Sequence, residues 1–126
     1  QLRVSAGAAE ELARRIQDRG AALAAEAAET ATADGRKTLM GEDFDAPVVD
    51  KDRLELPVAP VDRIARLDID DRYRVAMDAR IALAGELESY ADTVSTAAAI
   101  LARHADRRTI KAEDIETYYE LQPYFE

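Results

Sequence analysis

The sequence contains no cysteine, which excludes a disulfide framework and a thiolate metal site. It holds a single histidine, His104, with no clustered partners to share a metal ion and no nearby nucleophile to activate. Gly-rich phosphate loops, paired catalytic carboxylates and Ser/His/Asp arrangements are all missing. The expectation is a protein that is not an enzyme, binds no metal and takes no cofactor. The longest apolar runs are Ala-rich and broken by charge, and no signal peptide opens the chain. A soluble cytoplasmic protein without membrane contact is expected. At 126 residues, the chain can hold one compact domain or two very small units sharing a core.

Lysine is also scarce. Lys37, Lys51 and Lys111 stand against fourteen arginines, and 26 acidic residues leave a net charge of −9. Residues 1–50 carry 6 basic and 10 acidic groups, and residues 51–126 carry 11 and 16. Taken alone, this balance argues against nucleic acid, whose binding is driven by cation–phosphate contacts. Acid excess, little lysine and abundant alanine match the composition of proteins from salt-loving archaea. An acidic protein from an organism with GC-rich codons would read the same way.

What is plentiful is repetition. Residues 4–44 and 75–115 align without a gap at a constant offset of 71. Leu12 falls on Leu83, Arg36-Lys37-Thr38 on Arg107-Arg108-Thr109, and Glu42-Asp43 on Glu113-Asp114. A repeat of this size predicts two similar modules packed against each other. In the second copy, Ala79, Leu83, Leu87, Tyr90, Val94, Ala97, Ala98 and Leu101 recur at three- and four-residue steps. They predict one long amphipathic helix over 75–104 that leaves Glu86, Glu88, Asp92 and Arg103 to water. The first copy predicts a long helix over 5–33, with Ser5 as N-cap and Leu12, Ile16 and Leu23 as a weaker stripe.

A short helix is predicted after each long one. The second covers 112–121 and turns Ile115, Tyr118 and Tyr119 inward. The first is cut short by Pro47, and 48–53 then reads as a polar linker. A further short helix opens after Pro57 and Pro60 and buries Val61, Ile64 and Leu67. Its counterpart in the first copy would lie upstream of Gln1. The first module is therefore expected to lack its opening helix here, and Gln1 is not expected to be the natural start.

Short–long–short helices, Leu56-Pro57-Val58-Ala59-Pro60 before the first, and Arg107-Arg108-Thr109-Ile110-Lys111-Ala112-Glu113-Asp114-Ile115 after the long one resemble the archaeal histones. Two tandem modules with an acidic surface look most like a haloarchaeal doublet histone. The resemblance implies an all-α histone fold in which the two modules cross as an intrachain handshake pseudo-dimer. Residues 1–46 form the first module, 47–55 the linker and 56–126 the second.

It also implies a partner, double-stranded DNA, held without sequence readout through phosphates and the minor groove. The implied contacts after the long helices are Arg36, Lys37 and Thr38 in module one, and Arg107, Arg108 and Thr109 in module two. Before them come Arg3 and Arg74, with Arg63 at the start of the opening helix and Arg66 as a lesser candidate. Arg36–Asp43 and Arg107–Asp114 are implied as bracing salt bridges. A partly exposed pair contributes ~0–1 kcal/mol. Leu101, His104, Asp114 and Thr117 are implied as an interface through which two chains join by their second modules; a solvent-facing His104 is the alternative.

Tyr118, Tyr119, Tyr124 and Phe125 read as core and tail packing or as base-stacking groups. The acidic run at 68–71 reads as a solvated face or a cation site. Functionally, the leading expectation is a chromosome-associated protein that bends or wraps DNA in the nucleoid. The alternative is a histone-fold transcriptional regulator with transcription-related protein partners.

Overall fold

The computed structural model describes residues 2–47 and 49–125, so Gln1, the linker residue Val48 and Glu126 lie outside the described residues. Helices dominate: α1 (Ala6–Ala33), α2 (Val58–Ala65), α3 (Met77–His104) and α4 (Ala112–Leu121). Four two-residue strands accompany them: β1 (Arg3–Val4), β2 (Thr38–Leu39), β3 (Arg74–Val75) and β4 (Thr109–Ile110). Single 3-10 turns occur at Gly41–Asp43, Lys51–Arg53 and Gln122–Phe125. No described helix is long and apolar enough to cross a membrane.

The chain divides into two compact units, one of Gln1–Ile16 with Tyr90–Glu126, the other of Gln17–Ser89. Each unit draws on both copies of the repeat. In the first, β1 pairs in parallel with β4, setting Arg3 opposite Thr109 and Val4 opposite Ile110. In the second, β2 pairs in parallel with β3, setting Thr38 opposite Arg74 and Leu39 opposite Val75. The two bridges use the same register positions with the copies exchanged.

Alanine explains both the helices and their burial. Twelve of the 28 residues of α1 are alanine, the strongest helix former, because it loses no side-chain entropy on folding. In the second unit Ala21, Ala24, Ala28 and Ala31 recur at helical spacing and are buried. Leu12, Ile16 and Leu23, the stripe expected from sequence, are only half-buried. Gly20 shows how tight this packing is. A Cβ there would lie 2.4 Å from Cγ2 of Ile64 and 3.1 Å from Cδ1 of Leu87. In the first unit a core of Ala8, Val94, Ala98, Ala102, Ile110 and Ile115 is flanked by Leu12, Tyr90, Tyr118 and Tyr119.

Local chemistry sets the ends of the elements. The Ala8 amide donates to Oγ of Ser5 at 3.0 Å, which caps α1. Both long helices end in the same reversal. Gly35 (φ 73°) and Asp106 (φ 58°), one repeat apart, adopt left-handed backbone. The Arg36 amide reaches back to the Ala31 carbonyl at 2.8 Å, and the Arg107 amide to that of Ala102 at 2.9 Å. This is the six-to-one bond of a Schellman cap.

Several sequence expectations need correction. α3 begins at Met77 because Val75 is committed to the bridge with Leu39. α2 begins at Val58, so Pro60 lies inside its first turn, where its missing N–H costs nothing. Leu67 falls past the helix end and is 55% exposed. Glu88 is not left to water: its carboxylate accepts the amides of Glu55 (2.6 Å) and Leu56 (3.1 Å). The linker is not wholly polar and solvated, since Val49 packs on Gly85, where a Cβ would sit 2.7 Å from its Cγ2. Tyr124 and Phe125 are 83% and 82% exposed, so only Tyr118 and Tyr119 contribute to packing.

Candidate nucleic-acid interface

In each unit the strand bridge gathers cationic residues from both copies of the repeat. In the first unit, the Arg3 amide donates to the Arg108 carbonyl at 2.7 Å, and the Ser5 amide to that of Ile110 at 3.0 Å. Leu2, Arg3, Arg108 and Thr109 line one shallow cleft. In the second unit, the Arg74 amide donates to the Lys37 carbonyl at 2.9 Å. Lys37 lines a cleft with Thr32, Gly35, Arg36, Arg72 and Tyr73. The side chains of Arg3, Arg108, Lys37 and Arg74 are exposed. Because the bonds run through backbone groups, the cationic side chains stay available to an anion.

Arg36 and Arg107 are engaged differently. The Arg107 guanidinium grips Asp114 with both Nη atoms, at 2.9 and 2.5 Å, while Nη1 also donates to the Thr109 carbonyl at 2.8 Å. Arg36 repeats this on Asp43, at 2.9 and 2.6 Å, and on the Thr38 carbonyl at 2.8 Å. Each carboxylate also accepts an amide at the start of the following helical turn, Lys111 at 2.8 Å for Asp114 and Met40 at 2.7 Å for Asp43. One fork thus ties the helix end, the strand and the next helical turn together. The carboxylates are almost fully buried, with side-chain exposures of 4% and 1%. Arg36 and Arg107 keep 26% and 23% exposure, so each pair is exposed on its cationic side only, and the carboxylate is more enclosed than the partly exposed pair that the resemblance implied. Asp43 and Asp114 are held below the usual carboxylate range, chiefly by the arginine hydrogen bonds.

The remaining candidates are scattered. Arg63 sits in the last turn of α2, not at its start, because that helix begins five residues earlier at Val58. It is therefore remote from the positive end of the helix dipole. Arg66 pairs with Asp62 at 3.2 Å and donates to the Tyr73 carbonyl at 3.1 Å, which uses its guanidinium within the second unit. Leu101 and Thr117 are half-buried, and His104 is exposed. Asp114 is turned inward on Arg107. No cluster of three or more His, Cys, Asp or Glu able to hold a metal occurs among the described residues; this includes the acidic residues at 68–71.

Residues 54–117, just over half of the chain, match the family described as "Histone-like transcription factor (CBF/NF-Y) and archaeal histone". This chain belongs to that family. An archaeal histone HAN1 subunit from Thermococcus zilligii is 51% identical to it over 61 residues, covering 48% of this chain and 88% of the relative. The crystal structure of the histone from Methanopyrus kandleri aligns with a TM-score of 0.63, covering 91% of this chain and 80% of that one. At 22% identity this likeness shows the fold: the chain has a histone fold.

Sequence reasoning on this histone-family chain missed Arg72, which shares the Lys37 cleft and pairs with Asp70 at 3.2 Å. Its signal was present two residues ahead of Arg74. Lys111 was also passed over, although it is an exposed cation three residues after Arg108.

Buried Asp114 gives a pH prediction. Its pKa in the folded chain lies below that of a free aspartate, so its stabilisation is complete above the unfolded value. It is lost as pH falls through the folded one. Asp114→Asn should lower unfolding free energy by about 1.5–3 kcal/mol at pH 7, with the deficit shrinking in urea titrations as acid protonates the native carboxylate. A deficit that stays constant from neutral pH into strong acid would contradict the assignment.

Proposed function

We propose that this histone-family chain binds double-stranded DNA through backbone phosphates at the minor groove, with little sequence preference, and bends or wraps it in the nucleoid. The carrying observation is the reciprocal strand bridge: Arg3 beside Arg108 and Thr109 in one unit, Arg74 beside Lys37 and Thr38 in the other. In each, an arginine ahead of one long helix meets a cation and a hydroxyl from the loop after the other. Exposed cations flanking a pair of backbone strands suit a phosphate oxygen, and they carry no base-reading geometry.

The same exchange supports an intrachain handshake, in which the two tandem modules of one chain replace the two subunits of a histone dimer. Each compact unit then contains the end of one long helix and the start of the other. The Arg36 and Arg107 forks keep the loops in shape, and their guanidiniums act as braces more than as phosphate ligands. Acid excess and arginine in place of lysine support a salty cytoplasm as the setting, where the haloarchaeal doublet reading belongs. At molar salt the Debye length is ~3 Å, so binding there rests on close contacts and little on long-range attraction.

Self-association is assigned to the second module. Leu101 and His104 lie on its long helix and Thr117 on its last one. The corresponding positions of the first module are Thr30, Ala33 and Ala46, and its last helix is reduced to the turn at Gly41–Asp43. One adhesive end per chain gives a closed pair of chains, not a filament.

The double variant Lys37→Glu/Arg108→Glu should weaken duplex binding at moderate salt for every sequence tested alike. Unchanged affinity across several duplexes would remove these loops from the contact surface. Leu101→Glu/His104→Glu should halve the solution mass measured by light scattering; an unaltered mass would dismiss the assigned interface.

A further inference from the structure

The fold uncovers a charge imbalance that a division into sequence halves conceals. The unit formed by Gln1–Ile16 and Tyr90–Glu126 has seven lysine and arginine residues against nine acidic ones, a net −2. The unit Gln17–Ser89 has ten against seventeen, a net −7. The difference reaches the loop cations themselves. Beside Lys37, the Asp70 carboxylate accepts the Arg72 amide at 2.9 Å and pairs with its guanidinium at 3.2 Å. Asp70 is held below the usual carboxylate range, first by that amide bond, with the Lys37 charge contributing. Asp68 and Asp71 are exposed in the same loop. Arg36, in the same cleft as Lys37, is taken up by Asp43, Asp34 and Glu42.

The first unit differs at register positions present in both copies. Where the second has Thr32 and Met40, the first has Arg103 and Lys111, both exposed. Neither is in an ion pair among the described residues, and the same holds for Arg3 and Arg108. In the opposite sense Asp106 is exposed where the second unit has Gly35, but Asp34 falls on Ala105, so these exchanges still leave the loop of Arg108 more positive than that of Lys37, which also has Asp70 beside it.

We infer that the two phosphate-binding loop pairs are unequal: Arg3 and Arg108, reinforced by Arg103 and Lys111, take the duplex backbone first, and Asp70 restrains Lys37 and Arg72. The inference rests on the DNA reading and adds a ranking within it. Asp70 acts as an attenuating residue, since removing its charge frees Lys37 and Arg72 together.

The test compares three single variants and one double on a short labelled duplex by fluorescence anisotropy at one moderate salt concentration. Arg108→Glu should cost about tenfold in affinity and Lys37→Glu less than about threefold. Asp70→Asn should raise affinity about threefold, because the asparagine keeps the acceptor for the Arg72 amide while losing the charge. Adding Lys37→Glu to Asp70→Asn should then cost more than it does in the native background. Arg108 is exposed and contributes its carbonyl to the strand bridge, so reversal of its side chain leaves the bridge in place; circular dichroism checks this. Equal losses from Arg108→Glu and Lys37→Glu, or no gain from Asp70→Asn, would overturn the ranking while duplex binding stood. Absence of duplex binding by the native chain would overturn the DNA reading itself and the ranking with it.

Discussion

A long helix with alanine on its buried face gains little from any one residue, since each methyl removes only a small apolar area from water. It becomes stable only when other helices come close along much of its length, where many weak contacts add. Small side chains make that approach possible, and Gly20 against Ile64 and Leu87 shows the limit it reaches. The repeat supplies two such helices in one polypeptide, and both compact units use them in part. From this requirement follow the exchanged strand pairs, the paired loops and the clustering of cations beside them.

The loops need a second constraint, because a chain that reverses after a long helix and pairs in only two residues is weakly ordered by strand bonds alone. The buried carboxylates of Asp43 and Asp114 meet that need. Each joins an arginine from the reversal to an amide at the next helical turn, and the arginine also holds a strand carbonyl. Breaking one partner would strand the other in a place with little water, which is the costly case for ion pairs. The cations that remain exposed are therefore mounted on loops with a fixed shape, which the proposed phosphate contacts would not have to order.

Much of this was legible in the residues. The constant offset exposed the duplication, Ser5 the start of α1, and the spacing of Ala79, Leu83, Leu87 and Val94 the core face of α3. What escaped was set by contacts across the chain. A two-residue strand has no periodicity to read, so the pairing of Arg3 with Thr109 could not be seen. Glu88 has the pattern of a solvent-facing residue and is recruited only because the linker amides of Glu55 and Leu56 reach it. Leu67 has the right spacing for burial but falls beyond the helix end. In the site, the family resemblance singled out the loop arginines, whereas Arg72 and its link to Asp70 follow from how the acidic loop lies beside Lys37.

The exchange of modules within one chain is the claim on which the interface depends, and the absence of native cysteine allows a clean test. Cysteines placed at 3 and 109, and at 38 and 74, replace residues that are direct strand partners, a separation suited to disulfide formation. Oxidation of a chain carrying both pairs should produce two bridges within the same polypeptide, seen as a single-chain mass in denaturing, non-reducing conditions. Products linked between chains, or free thiols at both sites, would contradict the account.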